Sequence, residues 1–533
     1  MAMEPKGSVT SLQDKPKPRW SVGSSTSLHY GSFVNSLASL TPKAEISPAI
    51  SPKRAYIAVT VLCYINLLNY MERYTIAGVL SDIQIYFNIS DSTAGLLQTV
   101  FICSFLLLAP VFGYLGDRYN RKYIMIVGLT VWLGTAAGSS FVNESFWLLM
   151  LLRGLVGIGE ASYSTIAPTI ISDLFTGGRR SVVICIFYIF IPFGSGLGYI
   201  TGAGCATITG DWHWALRITP ILGVLGLVLL IFLCPNPPRG AAETQGEGVT
   251  GESSYLEDIK YLLKNKSYVW SSCGVTALTF LTGAFAFWMP TFLSRAQVVY
   301  MLALTALSLF SLLDSYIFGA VTVVTGILGG ALGTGLSRKF RDKVPNADPL
   351  ICAVGMLGSV PCLFITILVA SSSIPVTYVF IFFGELLLAL NWAVMADILL
   401  YVVTPTRRSS AEALQVTVGH LLGDAGSAYL LGAISDAIRS SKLPTSNTDW
   451  RFSSLMYSLL ICPFVGILGG GFFLVCSRYI EEDRKAAQLL GGGTVLIICT
   501  DSSFVNVPAN SRAAVSQPRP EDFIYFLSTV CNR

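Results

Sequence analysis

The sequence predicts an all-α membrane protein of twelve transmembrane helices arranged as two six-helix bundles. Three observations carry that expectation: the composition, a repeated apolar run of membrane-spanning length, and a lopsided distribution of loop charge. Of 533 residues, 53% are hydrophobic and 12% charged, against roughly a quarter charged in soluble domains. The mean hydropathy of +0.62 means that lipid solvates most of the chain. A disordered chain, a disulfide-stapled secreted fold and a nucleic-acid binder are thereby excluded for its bulk. The twelve cysteines sit mostly inside apolar runs (Cys63, Cys103, Cys185, Cys362, Cys462). They read as small packing residues without metal or disulfide spacing.

Residues 1–54 are rich in Ser, Pro and Lys, hold no apolar run and carry a charge of +4, from seven bases and three acids. No signal peptide is expected there, and a polar, basic tail of this kind stays in the cytosol. A ~30 Å hydrocarbon core needs roughly 20 helical residues. Six such runs follow at 56–80, 93–116, 123–141, 146–172, 181–205 and 214–234, forming the first bundle, 55–235. A polar linker, 236–267, contains a short amphipathic piece at 255–266. Six more runs come at 268–293, 315–337, 350–370, 376–403, 411–435 and 454–477, forming the second bundle, 268–478, and a cytosolic tail occupies 479–533. Six spans, a hydrophilic loop and six again is an internal duplication.

The loop charges test that count. With a cytosolic N-terminus, the even-numbered loops are cytosolic and hold fifteen Lys/Arg, whereas the odd-numbered loops hold four: Arg295, Arg439, Lys442 and Arg451. That bias puts both termini in the cytosol. The apolar stretch 296–313 resists; making it span would put Arg338–Lys343 and Arg407–Arg408 outside. It is therefore read as an interfacial segment or an extension of the eighth span. Sequons at Asn88 and Asn143 fall in short outer loops, where acceptors so near the bilayer are often unmodified.

Between the second and third spans the chain reads Gly113-Tyr-Leu-Gly116-Asp117-Arg118-Tyr-Asn-Arg121-Lys122, and a degenerate copy, Gly333-Thr-Gly335-Leu-Ser-Arg338-Lys339-Phe-Arg341, lies 220 residues later. Its glycines permit close helix approach, and its charges sit where the membrane ends. The loop is the signature of the major facilitator superfamily, which region 55–478 resembles. The stretches NYMERYTIAGVL (69–80), RGLVGIGEASYSTIAPTI (153–170), IPFGSGLGYITG (191–202), GDWHWALR (210–217), GELLLALNWAVMADIL (384–399) and HLLGDAGSAYL (420–430) resemble the spinster family of lipid transporters. The resemblance implies sphingosine-1-phosphate or lysophospholipids as the substrate class, and it looks nearer to the vertebrate branch linked to sphingolipid export than to the lysosomal branch. Two departures stand out: the apolar 296–313, in a loop that is polar in relatives, and Ala428 in place of the family's proline, which is expected to straighten the eleventh helix.

A charge at mid-membrane costs at least ~2.5–3.5 kcal/mol on insertion scales, so each one needs a partner or a watery cavity. Glu72 and Arg73, adjacent on the first span, point about 100° apart and must look to another helix. The fourth span offers Arg153 and Glu160, seven residues apart on one face and so about 10.5 Å apart. Crossed pairing, Glu72 with Arg153 or Arg73 with Glu160, is the economical arrangement. In one reading Arg73 and Arg153 hold an anionic headgroup, which a planar guanidinium matches bidentately, while Glu72 and Glu160 balance them or carry a coupling proton. In the other they form a static ion-pair network. Asn66, Tyr70, Ser164 and Trp392 complete the candidate substrate contacts.

In the second half Glu385 lies in the tenth span, and His420 and Asp424, four apart on one face of the eleventh, are placed to bond. That pair either carries protons, since histidine titrates near neutrality, or is a buried histidine satisfied by its neighbour. Ser409-Ser410-Ala411-Glu412 reads as a capping box opening the eleventh helix, and Asp397 has no clear assignment. Gly194-Ser-Gly196-Leu-Gly198 mimics a nucleotide loop, but it sits in lipid with no preceding strand and reads as helix packing. No nucleophile–base spacing, HExxH or CxxC suggests catalysis, and neither a cofactor nor a nucleic-acid partner is expected.

The expectation is a monomeric, membrane-embedded transporter that moves a sphingosine-1-phosphate-like lipid by alternating access, with proton coupling open. The Asp117, Arg118 and Arg121 cluster would be its cytosolic gate latch. The rivals are a lysosomal proton-coupled lysophospholipid exporter, a carrier of a small soluble organic anion, and, from another class, a multi-pass enzyme or non-transporting receptor. The plasma membrane is the expected location, with lysosome or late endosome as runner-up.

Overall fold

The computed structural model describes residues 51–175, 177–237, 255–304, 311–404, 407–441, 448–491, 496–500 and 503–507. Their backbone is almost wholly helical, as a chain in lipid must be when no water is present to satisfy its amides. Helices α1 (Pro52–Gly78), α2 (Leu80–Phe87), α3 (Asp91–Arg118), α4 (Arg121–Ser139), α5 (Phe146–Leu174), α6 (Gly177–Thr209) and α7 (His213–Leu233) make the first half. The amphipathic α8 (Tyr255–Lys264) follows. The second half holds α9 (Lys266–Leu304), α10 (Ser311–Arg341), α11 (Ala347–Val369), α12 (Ile374–Val402), α13 (Arg408–His420), a π turn over Leu421–Ala425, α14 (Gly426–Ser440), α15 (Thr448–Leu459) and α16 (Ile461–Gly491). A two-stranded antiparallel hairpin, Leu496–Thr500 with Ser503–Val507, departs from the all-α expectation, but it lies in the C-terminal tail.

Ten helices among the described residues are long and apolar enough to cross a membrane. The other two expected spans are α4, whose first turn holds Arg121 and Lys122, and the eleventh span, which the π turn divides into α13 and α14. Ala428 therefore does not produce a straight α-helix. Several boundaries also move. The first helix begins at Pro52, inside the expected tail, and the last runs to Gly491, thirteen residues past 478. The stretch 296–313 divides: 296–304 prolongs the seventh span within α9, 311–313 opens α10, and 305–310 lie outside the described residues. Extension thus falls mainly on the seventh helix rather than the eighth, because the apolar run continues the helical register of α9 without a breaker. The capping box does not coincide with the helix start. Helix α13 begins at Arg408, with Arg407 at the cap position, so Ser409 lies within the first turn.

Within the first half α1 packs on α6 and α7, and α5 on α3 and α4; within the second, α12 packs on α10 and α11, and α16 on α9 and α11. Two seams join the halves, α3 against α14 and α6 against α10. Both rely on glycine. A Cβ on Gly95 would lie 2.3 Å from the Ala428 carbonyl, and one on Gly196 would lie 2.4 Å from that of Gly319. The backbones meet as closely as helices can. Asp91 and Arg295 meet across the boundary at one end of the bundle, termed here the far end. At the opposite, basic end, the described ion pairs Arg121–Asp173, Arg341–Asp348, Arg341–Asp397 and Arg407–Asp258 are each internal to one half or its linker.

Candidate functional site

The site is built where α1, α3 and α5 meet the π turn of the eleventh span. Glu72 and Arg153 form an ion pair, and both are almost completely buried, Arg153 at 1% exposure. The second crossed pair forms as well, with Arg73 Nη1 3.9 Å from Glu160 Oε1. Both of the alternatives open to the sequence are therefore occupied at once. Glycines seat α5 against its neighbours α3 and α4: a Cβ on Gly157 would lie 2.5 Å from the Phe101 carbonyl, and one on Gly159 would lie 2.7 Å from that of Gly128.

Arg73 reaches further. Its Nη2 donates to Asp424 Oδ2 at 3.3 Å, so one guanidinium is shared between a carboxylate of its own half and one of the other half. His420 Nδ1 lies 2.8 Å from the same Asp424 oxygen, the helical i,i+4 contact that the spacing predicts. The π turn presents Asp424 and is itself bridged by the first half, since Thr99 on α3 donates to the Ala425 carbonyl at 2.7 Å. A π turn leaves backbone groups out of the α ladder, and such turns collect at functional sites.

Sequence reasoning missed Phe101. Its ring, 1% exposed, lies 5.4 Å from the Arg73 guanidinium carbon and 5.2 Å from that of Arg153, separating the two like charges with a π face that favours both. Tyr74 approaches Arg73 on another side at 5.8 Å. Neither aromatic residue has a pattern that distinguishes it from the lipid-facing aromatics around it.

The remaining candidates divide. Asn66 is buried and spends its amide on the Phe187 carbonyl at 2.9 Å, and Ser164 turns back to the Ala161 carbonyl of its own helix. Both side chains are thus occupied by the fold. Tyr70, one residue from the Glu72 and Arg73 turn, is partly buried and backs onto Gly194, where a Cβ would lie 2.9 Å from its own Cβ. Glu385 accepts from Thr325 at 3.1 Å, and among the described residues no cation lies within ion-pair distance of it. Trp392, 38% exposed, is seven residues further along α12 and so within about 20° of the Glu385 direction. Asp397 accepts from Arg341 at 2.6 Å, beside Asp348, Ser337 and Tyr401. Of the gate residues, Arg121 pairs with Asp173 and Arg118 stacks over Tyr114 at 4.2 Å, while the Asp117 side chain lies outside the described residues.

This architecture matches known proteins over most of its length. The Major Facilitator Superfamily family profile matches residues 62–427. Protein spinster homolog 3 of Danio rerio is 64% identical over 487 residues, covering 91% of this chain and 97% of the relative. The chain belongs to the spinster family of the major facilitator superfamily. Protein spinster homolog 1 of Homo sapiens is 53% identical over 470 residues, covering 87% of this chain and 88% of its own. A crystal structure of a bacterial homologue of the human lysosomal transporter Spinster, inward-facing and unoccupied, superposes with a TM-score of 0.69 at 20% identity, covering 81% of this chain and 99% of that one. At that identity the likeness speaks for the fold. The chain is a multi-pass membrane transporter, and transport rather than enzymic chemistry is the activity that its family supports.

Proposed function

We propose that this spinster-family transporter carries an amphipathic lipid with an anionic head, of the sphingosine-1-phosphate or lysophospholipid class, by alternating access. The observation that carries the reading is the sharing of Arg73 between Glu160 and Asp424, at 3.9 and 3.3 Å from opposite halves. A guanidinium held at such loose distances can exchange a carboxylate for a phosphate oxygen, and bidentate recognition suits it. Arg153 does not have that freedom. Its charge is committed to Glu72 inside the bundle, so it acts as a positioning residue that orders α5 against α1.

Glu385 supplies the opposite pole. A half-buried carboxylate within the membrane, bonded to a hydroxyl and to no described cation, is matched to the ammonium of a zwitterionic head, or to a coupling proton when no ammonium is present. Trp392, on the same face of α12, lies where an acyl or sphingoid tail would leave the head. When a phosphate takes Arg73, Asp424 is left to its contact with the His420 imidazole. With the basic end in the cytosol, as the loop charges favour, and the halves joined by an ion pair at the far end and by no described ion pair at the basic end, the conformation reads as inward-facing, with the plasma membrane as the expected location.

Flux in proteoliposomes tests the proposal. Wild-type protein should move long-chain lysolipid or sphingoid phosphate, and short soluble analogues should compete poorly. Arg73→Ala should abolish flux at normal yield and monodispersity. Undiminished flux in that variant would remove Arg73 from the site, and equal competition by short analogues would favour a carrier of soluble anions.

A further inference from the structure

The four basic residues of the odd-numbered loops break the charge pattern that sets topology, and three of them meet at one place. Arg295 donates Nη2 to Asp91 Oδ1 at 2.6 Å and Nη1 to Asp91 Oδ2 at 3.1 Å, a bidentate fork on a carboxylate that is fully buried. The same guanidinium reaches Gln84 Oε1 at 3.0 Å and the Arg451 carbonyl at 3.2 Å. Gln84 donates to Asp91 at 2.8 Å, and Ser435 donates to it at 2.7 Å. One helical position on from Ser435, Asp436 accepts from the backbone N–H groups of Asp91 at 3.1 Å and Ser92 at 2.8 Å, and it is paired with Arg439.

Gln84, Asp91 and Ser92 belong to the first half, and Arg295, Ser435, Asp436, Arg439 and Arg451 to the second. The first turn of the 28-residue helix α3 is therefore capped by a carboxylate from the opposite half. A helix N-terminus concentrates unpaired N–H groups and positive potential, so an anion there stabilises it. The glycine contacts bring the backbones into place, with a Cβ on Gly432 falling 2.4 Å from the Asp91 carbonyl. Neither half completes this cluster alone.

We infer that Arg295 and Asp436 are the keystones of an inter-half latch that holds the far end shut and so selects the state open at the basic end. The inference rests on the alternating-access reading above, though not on the identity of the cargo. Opening the far end strips Asp91 of its fork and Ser435, and strips the first two N–H groups of α3 of Asp436, in one movement, leaving the helix with its own Ser90 cap on the Thr93 N–H; the latch breaks cooperatively.

Hydrogen–deuterium exchange of the full chain in nanodiscs tests this. Arg295→Ala should speed exchange at the backbone amides of 91–95 and 431–436 by about tenfold or more, and slow it at 112–118 and 408–416 as the basic end closes. Asp436→Asn, which keeps an acceptor but removes the charge, should shift the same segments in the same directions by less. The reciprocal slowing is the readout that mere local loosening would not produce. Faster exchange at the far end alone, or no change in either variant, overturns the latch. Should the reciprocal pattern appear in a protein that moves no lipid, the latch stands and the cargo proposal falls.

Discussion

The Glu72–Arg153 pair makes the sharpest quantitative test of the division of labour between the two arginines. Arg153 is 1% exposed and Glu72 3%, and among the described residues Arg153 Nε and Nη2 and Glu72 Oε2 have no hydrogen-bond partner. Removing either charge leaves the other buried and uncompensated, a change that costs about 3–5 kcal/mol in proteins generally. At ~2.1 cal/mol/K of unfolding entropy per residue, 533 residues correspond to about 1.1 kcal/mol/K, so the melting temperature should fall by roughly 3–4 °C in Arg153→Gln or Glu72→Gln. Replacing both members with Glu72→Gln and Arg153→Gln removes the stranded charge, and most of the loss should return, with a coupling of at least ~2 kcal/mol between the sites. Thermal unfolding in one detergent, followed by intrinsic fluorescence, reads all four corners of the cycle. The double variant should also regain part of any lost flux, since Arg153 acts through packing. Additive losses, with the double variant as unstable as the sum, would refute the pairing argument. A stable double variant without any flux would return Arg153 to the list of headgroup ligands.

Three further outcomes follow from particular contacts. Glu385→Gln should reduce transport of lipids that carry an ammonium more than of those that lack one, measured as a ratio of initial rates in proteoliposomes. Gly196→Ala places a methyl 2.4 Å from the Gly319 carbonyl, a backbone atom that cannot step aside, so it should cost about 1–3 kcal/mol, or roughly 1–3 °C on the same scaling. Arg341→Ala leaves Asp348, which is 2% exposed, with only the Ser337 and Tyr401 hydroxyls; it should lower the melting temperature by about 2–4 °C, and Asp348→Asn in the same chain should restore part of it.

Much of this site was legible because lipid makes charge rare. Four mid-membrane charges on two helices leave few ways to pair, and Glu72, Arg73, Arg153 and Glu160 adopt both of the crossed combinations available. His420 and Asp424 were legible for the same reason, through helical spacing. The bond from Arg73 to Asp424 was not, because it joins residues 351 apart in different halves, and no periodicity encodes how two bundles abut. The π turn that presents Asp424 has no sequence signature comparable to a cap or a proline. Ser409 was misread as a cap because a capping box names four residue types and not the place where the helix starts. At the far end a signal existed: Arg295, Arg439 and Arg451 are exceptions to the positive-inside bias, and an exception that persists against topology needs a partner. Nothing in the spacing of Asp91, which pairs with Arg295, or of Asp436, which pairs with Arg439, points across the boundary between the halves.

The duplication makes one more point that neither half makes alone. Arg121 and Arg341 occupy equivalent loop positions 220 residues apart and bond Asp173 and Asp397. Counting back from those aspartates, Glu160 stands thirteen residues before the first and Glu385 twelve before the second, at nearly the same height of about 20 Å above the ion pair. Each half thus carries an acid at about that height, one residue out of register, and what faces it differs. Glu160 has Arg73, whereas Glu385 has the Thr325 hydroxyl. On the function proposed above, the first half offers the anion site and the second the cation site, and a head carrying both charges would contact both halves at once. A ligand can shift a conformational equilibrium only through its different affinity for the two states. A zwitterionic head that bridges the halves has that difference in full, whereas a phosphate at Arg73 acts only through the one inter-half bond it displaces, that to Asp424. Exchange measured in the segments 91–95 and 112–118 should therefore change on adding a lipid with phosphate and ammonium, and change little with the same chain bearing phosphate only, at concentrations where both bind. Equal responses to the two lipids would show that Glu385 is no part of the recognition, and that the asymmetry between the copies serves the proton or the fold instead.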